Sequence, residues 1–376
     1  MKLLYLTTWD FSNEESDGVC KKIYSHIKTF KENGYHVDFI FIKDKRIVYC
    51  ENDQIYTIGR VGNIKKTLAY VIMYKFLKYK RYDWVYNRYG MMDTFYYRVL
   101  KRLKMNGAKV LVEIPTYPYT EEIPKGFLFT LMAKWDQLYE KKIQNCVDKI
   151  ITFSKDDEIF GVKTIKIVNG IDFEDYSLVM NREKKNSQEF NMIAVANVMN
   201  AHGYDRIIRG IHNYVRNKSV PKVIFHIIGS GSILEDYKTY VKDNCLDEYV
   251  KFHGRMNKEE MIPWFEISDV AIESIGDHRV GIDISSSLKS REYVARGIPF
   301  VTSCVSDVFE GEFFVYKVTA TNEAVDIKKI QEYVAELYAD NSRVEIAKTI
   351  RNKGKMRCDI SKTMIPIFEY MNEESH

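Results

Sequence analysis

The chain has 376 residues, of which 45% are hydrophobic, 29% are charged and only 7 are proline. Its length exceeds one ordinary core and suits two domains, and its composition excludes a long disordered tail. The 56 basic and 52 acidic residues leave a formal charge of +4, too weak a surplus on so large a surface for a nucleic-acid binder.

Six cysteines, Cys20, Cys50, Cys146, Cys245, Cys304 and Cys358, show no CxxC spacing and no histidines at metal-ligand spacing. They read as reduced cytosolic thiols, and no metal is expected. The opening MKLLYLTTWDF has no apolar core long enough for a signal peptide, and no stretch approaches the roughly 20 apolar residues of a membrane span. Any work at a membrane is therefore expected to be peripheral, from the cytosolic side.

In chain order, the apolar run KLLYLTT precedes a polar loop, TTWDFSNEESDGVCKK, closed by Gly18 before a helix at about Val19 to Asn33. A glycine there lets backbone N–H groups approach an anion, or serves only the turn. HVDFIFIK follows, then NIKKTLAYVIMYKFLKYKRYDW, in which Lys65, Lys66, Lys75, Lys78, Lys80 and Arg81 alternate with aromatic and aliphatic residues. That pattern suits a helix lying on an anionic membrane, or a helix packed on its own sheet with solvated lysines. DWVYNR, KVLVEI and KIITFS complete a first set of strands. Arg88, Glu113, Tyr117, Tyr119 and Glu121 fall at or after strand ends, where a second substrate would sit; Arg88 would bind a phosphate or carboxylate, or form an internal ion pair.

The rhythm pauses at NGIDFEDYSLVMNREKKNSQEF and resumes with MIAVANV, VIFHIIG, VKFHG, DVAIES and IPFVTS. Strand and helix alternation on both sides predicts two βα domains with parallel sheets, spanning 1–167 and 168–355, with a final helix at about 359–371 returning to the first. In the second domain Asn197, His202 and Gly203 follow one strand, Gly229 and Gly231 another, and Gly254, Arg255 and Met256 a third. The turn at Gly229 and Gly231 lacks the third glycine of a dinucleotide fingerprint. In GIDISSSLKSREYVARGIPFV, Gly297 and Pro299 stop a helix predicted from Ser286 to Arg296. Its entrance offers Ser285, Ser286, Ser287, Leu288 and the cation of Lys289 to a diphosphate. Glu292 on the same face is placed to accept from two ribose hydroxyls, or is a solvated helix residue.

The order of these motifs resembles the GT-B glycosyltransferases of the family 4 type, and within them the bacterial transferases that build surface polysaccharides. The resemblance rests on GVCKKIYSHIKTFKENGYHVDFI, WVYNRYG, EIPTYPY, VNGID, ANVMNAHGYDRII, HIIGSGS, VKFHG and LKSREYVARGIPFV. It implies an α/β architecture of two Rossmann-like doubly wound domains facing a cleft. It further implies retaining transfer from a nucleotide-sugar donor, a UDP-sugar, to a glycan or lipid-linked saccharide, with no metal and the donor on the second domain. Lys289 and His202 would then assist departure of the diphosphate, and the backbone after Gly254 would read the base. The chain departs from the family at four places. Ile284 stands where the first of two glutamates spaced by seven residues would be; either Asp283 beside it substitutes, or Ser285 and backbone amides hold the sugar instead. Asn197 and His202 replace the Arg and Lys of the diphosphate clamp, and the usual first-domain histidine is missing near Glu113. Those departures suit an alternative, a non-catalytic GT-B subunit that stabilises a partner transferase. A nucleotide-sugar epimerase is a further rival, without a dedicated acid-base constellation.

Overall fold

The computed structural model describes residues 1–12, 18–61, 65–90, 93–115, 117, 136–180, 189–217 and 220–375. The chain divides into two compact units, Met1–Val168 with Thr363–His376, and Asn169–Lys362.

The first unit contains β1 (Lys2–Asp10), β2 (His36–Lys43), β3 (Arg46–Glu51), β4 (Gln54–Arg60), β5 (Trp84–Arg88), β6 (Lys109–Ile114), β7 (Lys149–Thr152), β8 (Glu158–Ile159) and β9 (Val162–Lys166). They form one sheet in the order β4-β3-β2-β1-β5-β6-β7-β9-β8. The strands from β2 to β9 across its centre are parallel, while β3, β4 and β8 run antiparallel to their neighbours. Sandwiched central strands need apolar residues on both faces, and β1 accordingly buries Leu3, Leu4, Tyr5 and Leu6 in succession. Two tight turns build the antiparallel extension, at Asp44–Lys45 (φ 48° and 59°) and Asn52–Asp53 (φ 50° and 61°). Left-handed backbone at both central residues matches the twist of a hairpin, and Asn and Asp tolerate it best. This extension was absent from the sequence-based expectation.

The helix Gly18–Glu32 covers one face of this sheet with Ile23, Ile27 and Phe30. The helix Lys65–Phe76 buries Ala69, Tyr70 and Met73 in the opposite core, beside the helix Thr94–Met105. The basic segment is thus packed on its own unit, with Lys75 and Lys78 exposed. At the end of the chain, Ile365–Glu373 sets Phe368 against Phe30 and Tyr35, and Tyr370 against Trp84.

The second unit contains β10 (Glu189–Asn197), β11 (Lys222–Ser230), β12 (Val250–Gly254), β13 (Val270–Ile272), β14 (Ile284–Ser285), β15 (Phe300–Thr302), β16 (Val305–Ser306) and β17 (Val315–Lys317). Its main sheet has the order β12-β11-β10-β13-β15-β17 and is parallel throughout. That is the doubly wound order of a dinucleotide-binding fold, whose direction reverses between β10 and β13. Ligands of such sheets bind beyond the strand carboxyl ends at that reversal. β14 and β16 form a separate parallel pair. The helix expected from Ser286 begins at Leu288 and ends at Ala295, because Ile284–Ser285 is drawn into β14 and Ser287 caps the helix, accepting from Lys289 N.

Candidate functional site

The reversal between β10 and β13 gathers a polar cluster from three segments. β10 leads into a turn at Asn200–His202, and Gly203 (φ 67°) starts the helix Tyr204–Arg216. β13 leads into Glu273-Ser274-Ile275-Gly276, and Ile275 N donates to the His202 carbonyl at 3.0 Å. These two loops touch backbone to backbone: a Cβ on Gly203 would lie 2.7 Å from Gly276 N. A left-handed residue pressed against another main chain has to be glycine.

The third segment is the helix Leu288–Ala295. Lys289 Nζ donates to Ser274 Oγ at 2.8 Å, tying the first helical turn to the end of β13. Burial lowers the Lys289 pKa against the raising pull of Glu273 and Asp277. Glu273 is 1% exposed; its Oε2 accepts from Thr302 at 3.0 Å, and its Oε1 has no partner among the described residues. Burial, reinforced by Glu273, raises the Asp277 carboxyl above its usual range.

His202 faces this cluster as a neutral ring. Burial, and then the charge of Lys289, hold its pKa at about 3. Its Nδ1 accepts from Met199 N at 2.9 Å, so its single proton stands on Nε2. A fixed donor and a half-buried ammonium thus flank one strand-end reversal. Together they suit an anion whose charge grows as a bond breaks.

Around them the helix entrance is firmly held. Arg291, fully buried, donates to Asn169 O, Ser287 O, Ser290 Oγ and Asp307. Ser286 Oγ donates to the same Asp307 at 2.6 Å, and the Ser285 carbonyl accepts from Asp307 N. All three serines are therefore engaged in fixing the loop and the helix start, Ser285 by its carbonyl, Ser286 by its hydroxyl and Ser287 as the cap. Leu288 is half-buried at the first helical position.

Glu292 Oε1 accepts from Arg296 Nη2 at 3.1 Å and Nε at 3.2 Å. Arg296 is fully buried and lies over the Phe265 ring, 4.3 Å from its centroid. Glu292 Oε2 makes no bond within the protein among the described residues, which leaves one oxygen for a ligand hydroxyl. Asp283 is exposed, and its carbonyl accepts from Val305 N; among the described residues no hydrogen bond or ion pair holds its side chain. Ile284, at the position of the family's other glutamate, is 50% exposed.

The remaining donor-side residues lie at neighbouring strand ends. Asn197 is exposed at the end of β10, in register with Ser230 of β11. Gly229 and Gly231 approach the main chain closely, each with its Cβ direction 1.9 Å from a carbonyl, of Ala196 and Val198 respectively. Gly254 (φ 72°) meets nothing within 4 Å. Beyond it Arg255 donates to Ser230 Oγ at 2.7 Å, and Met256 is half-buried.

In the first unit Gly18 is the exposed first residue of its helix. Arg88 Nη1 lies 2.6 Å from Glu113 Oε1, so the internal ion pair is the reading realised. Glu113 is fully buried and its Oε2 also accepts from Tyr86 at 2.9 Å. Burial alone would raise this carboxyl, but Arg88, His26 and Lys22 outweigh it and hold it at about 2. Glu113 is thereby sealed from any acceptor. Tyr117 is half-buried against Phe160, and Tyr119 and Glu121 lie outside the described residues.

Sequence reasoning passed over Glu273, Ser274, Gly276 and Asp277. Their signal was the switch from the apolar run DVAI to two polar residues at a strand's carboxyl end, followed by glycine.

No family model matches the chain, and no curated protein does. Solved structures match over its whole length. They include sucrose-phosphate synthase from Thermosynechococcus elongatus, with a TM-score of 0.66 and 12% identity over 100% of this chain and 98% of that one. A glycosyltransferase from Rickettsia africae has a TM-score of 0.66 and 13% identity, covering 99% and 98%. Anabaena HepE, solved with UDP, has a TM-score of 0.63 and 13% identity, covering 99% and 100%. The chain thus has the GT-B fold of nucleotide-sugar-dependent glycosyltransferases, two α/β units with largely parallel sheets. At such identity the likeness is one of fold.

Proposed function

We propose that the chain transfers a sugar, with retention, from a nucleoside diphosphate donor to a glycan or lipid-linked saccharide of a bacterial surface polysaccharide. The observation that carries this reading is the presence of Lys289 and of a fixed, neutral His202 at the same β10/β13 reversal, where the charge of Lys289 acts on the ring. A departing diphosphate gains negative charge, and preformed donors aimed at it lower the barrier most. Two aligned structures, HepE with UDP and HepE with UDP-glucose, support UDP as the carrier. WaaG, a transferase involved in lipopolysaccharide biosynthesis, aligns over 99% of this chain with a TM-score of 0.60 and supports the surface-glycan assignment.

Among the described residues no helix is long and apolar enough to cross a membrane. Peripheral contact from the cytosolic side is proposed through the basic segment, where Lys75 and Lys78 are exposed and Tyr79 is 83% exposed. The second reading, a non-catalytic partner subunit, is favoured by Ile284, which leaves the sugar without the family's first glutamate, and by Asn197, which leaves the diphosphate without a permanent arginine.

Purified chain incubated with a panel of nucleotide-sugars separates the two. Slow release of UDP from one sugar nucleotide, lost in Lys289→Met, is expected. UDP binding without turnover of any donor, alone or with lipid-linked acceptors, would make the chain a subunit.

A further inference from the structure

Glu273 is 1% exposed, yet the bond it makes requires no charge. β13 and β15 run in register through Ala271↔Phe300 and Ile272↔Val301, which brings Glu273 beside Thr302, and the Thr302 hydroxyl donates to Glu273 Oε2 at 3.0 Å. A glutamine would accept that bond as well. The other oxygen, Oε1, has no partner among the described residues. A buried carboxylate with an unmade bond is costly unless an opposite charge answers it.

The cation that answers it is Lys289. Its Nζ donates to the hydroxyl of the next residue, Ser274, at 2.8 Å, so Glu273 and the first turn of the helix Leu288–Ala295 meet at one strand end. Tyr293 ties the same helix to that end, donating to the Ile272 carbonyl at 3.3 Å. Two acids pull on Lys289, and Glu273 pulls harder than Asp277, whose Oδ2 accepts from the Cys304 thiol at 3.3 Å. Lys289 makes no ion pair among the described residues, and Ser274 takes one of its three protons. A contact pair would consume the ammonium; an offset carboxylate supports the charge and leaves two N–H groups for a ligand.

We infer that Glu273 is a positioning residue, the counter-charge that keeps the Lys289 ammonium at the β10/β13 reversal for a diphosphate. Resting on the transferase reading, this divides one duty between two residues: Lys289 touches the ligand, and Glu273 acts only through Lys289. Burial still outweighs the pull of Glu273, so the lysine depends on that carboxylate for its charge. The groups around the ammonium are silent at mildly alkaline pH. Burial and the charge of Lys289 hold His202 at about 3, and burial and Asp277 push Cys304 up to about 12. Burial also raises the Tyr204 and Tyr293 hydroxyls, and burial and Glu273 raise the Asp277 carboxyl. Between about pH 7 and 9.5 the ammonium is the group of this cluster that changes charge.

The test follows Lys289 itself, by nitrogen NMR of the full chain carrying isotope-labelled lysine, with the signal assigned by its loss in Lys289→Met. Glu273→Gln, which keeps an acceptor for Thr302, is expected to lower the titration midpoint by about one pH unit or more, a tenfold loss of proton affinity. Asp277→Asn should lower it less. Glu273→Asp, which draws the charge back by one methylene, should also lower it less, and gives the reading where Glu273→Gln does not fold. UDP is titrated into the same samples above about pH 7, where a terminal phosphate has lost its second proton. Its affinity should fall in Glu273→Gln about one pH unit or more before it falls in the parent, while in a Lys289→Met background Glu273→Gln should change it by less than about twofold. A carboxylate that only braces the fold would leave the lysine midpoint where it was. An unmoved midpoint, a larger shift in Asp277→Asn, or a parent Lys289 already uncharged at about pH 7 would overturn the inference. A midpoint that moves as expected in a chain that binds no UDP keeps Glu273 as the counter-charge and removes the transferase; UDP held through Lys289 with an unmoved midpoint keeps the transferase and removes Glu273.

Discussion

Lys289 and Ser274 meet at 2.8 Å across the reversal of the second sheet, a contact that holds a cation where the fold would rather have none. Because burial lowers the pKa of this lysine, its charge is retained at a cost to the folded state. Lys289→Met is expected to leave stability within about 1 kcal/mol of the parent or above it. The same change should weaken UDP by roughly tenfold to a hundredfold, the value of a charge-assisted contact. Urea unfolding and UDP titration of one preparation measure both; parallel loss of the two would mark Lys289 as a structural residue.

For Glu292 the expected signs differ. Removing its carboxylate strands Arg296, whose Nη1 has no partner among the described residues. Glu292→Ala should therefore destabilise the chain by about 3 kcal/mol, the usual result of breaking a buried pair. Glu292→Gln keeps an acceptor and should cost less. With Oε2 on the ribose, the parent discriminates UDP from its 2′-deoxy analogue and Glu292→Gln does so more weakly. Equal affinity of the parent for both nucleotides would leave Glu292 as the anchor of Arg296 alone.

Two glycines with nearly the same backbone should respond very differently. Gly203 (φ 67°) would press a Cβ against Gly276, whereas Gly254 (φ 72°) faces open space. Gly254→Ala should cost about 1 kcal/mol, the strain of a left-handed alanine. Gly203→Ala adds a main-chain clash and should cost several times more. Unfolding midpoints at constant denaturant slope provide the comparison.

Three buried imidazoles make stability depend on pH. Burial, as the largest cause, holds His26 and His202 at about 3 and His226 at about 4. The unfolded rings take a proton near 6.5. Between those values the unfolded chain binds protons that the native chain refuses. Stability is thus full above about pH 6.5 and falls on acidification, by up to about 1.4 kcal/mol per pH unit for each ring. Glu113, held at about 2, acts in the same direction from about pH 4.5 downward. His226→Gln should remove one ring's share of the slope between about pH 6 and 5. An unchanged slope would mean that His226 takes up its proton in the native state, through the His253 ring 3.0 Å from its Nδ1.

Much of the architecture was legible because central parallel strands must be apolar on both faces. KLLYLTT and MIAVANV could be little else, and they became β1 and β10. The hairpin β3–β4 escaped because its strands are partly exposed and its turns use Asp-Lys and Asn-Asp without glycine. At the helix entrance the local pattern shows which residues are neighbours but not which distant group each one bonds. Ser286 was read as a ligand for phosphate, whereas Asp307, sixteen residues past Arg291, claims both of them. Arg88 shows the same limit, since its partner Glu113 is set by the pairing of β5 with β6 and by no local pattern. Pairings between distant segments decide which polar groups remain available, and periodicity does not report them.

The return of Ile365–Glu373 to the first unit has a consequence for synthesis. Phe30, Tyr35 and Trp84 emerge early from the ribosome, but the rings that cover them, Phe368 and Tyr370, come some three hundred residues later. The first unit must wait, with an apolar seam open to water, until the second has been made. A chain halted after Lys362 would carry every strand of both sheets and still lack the piece that closes the first.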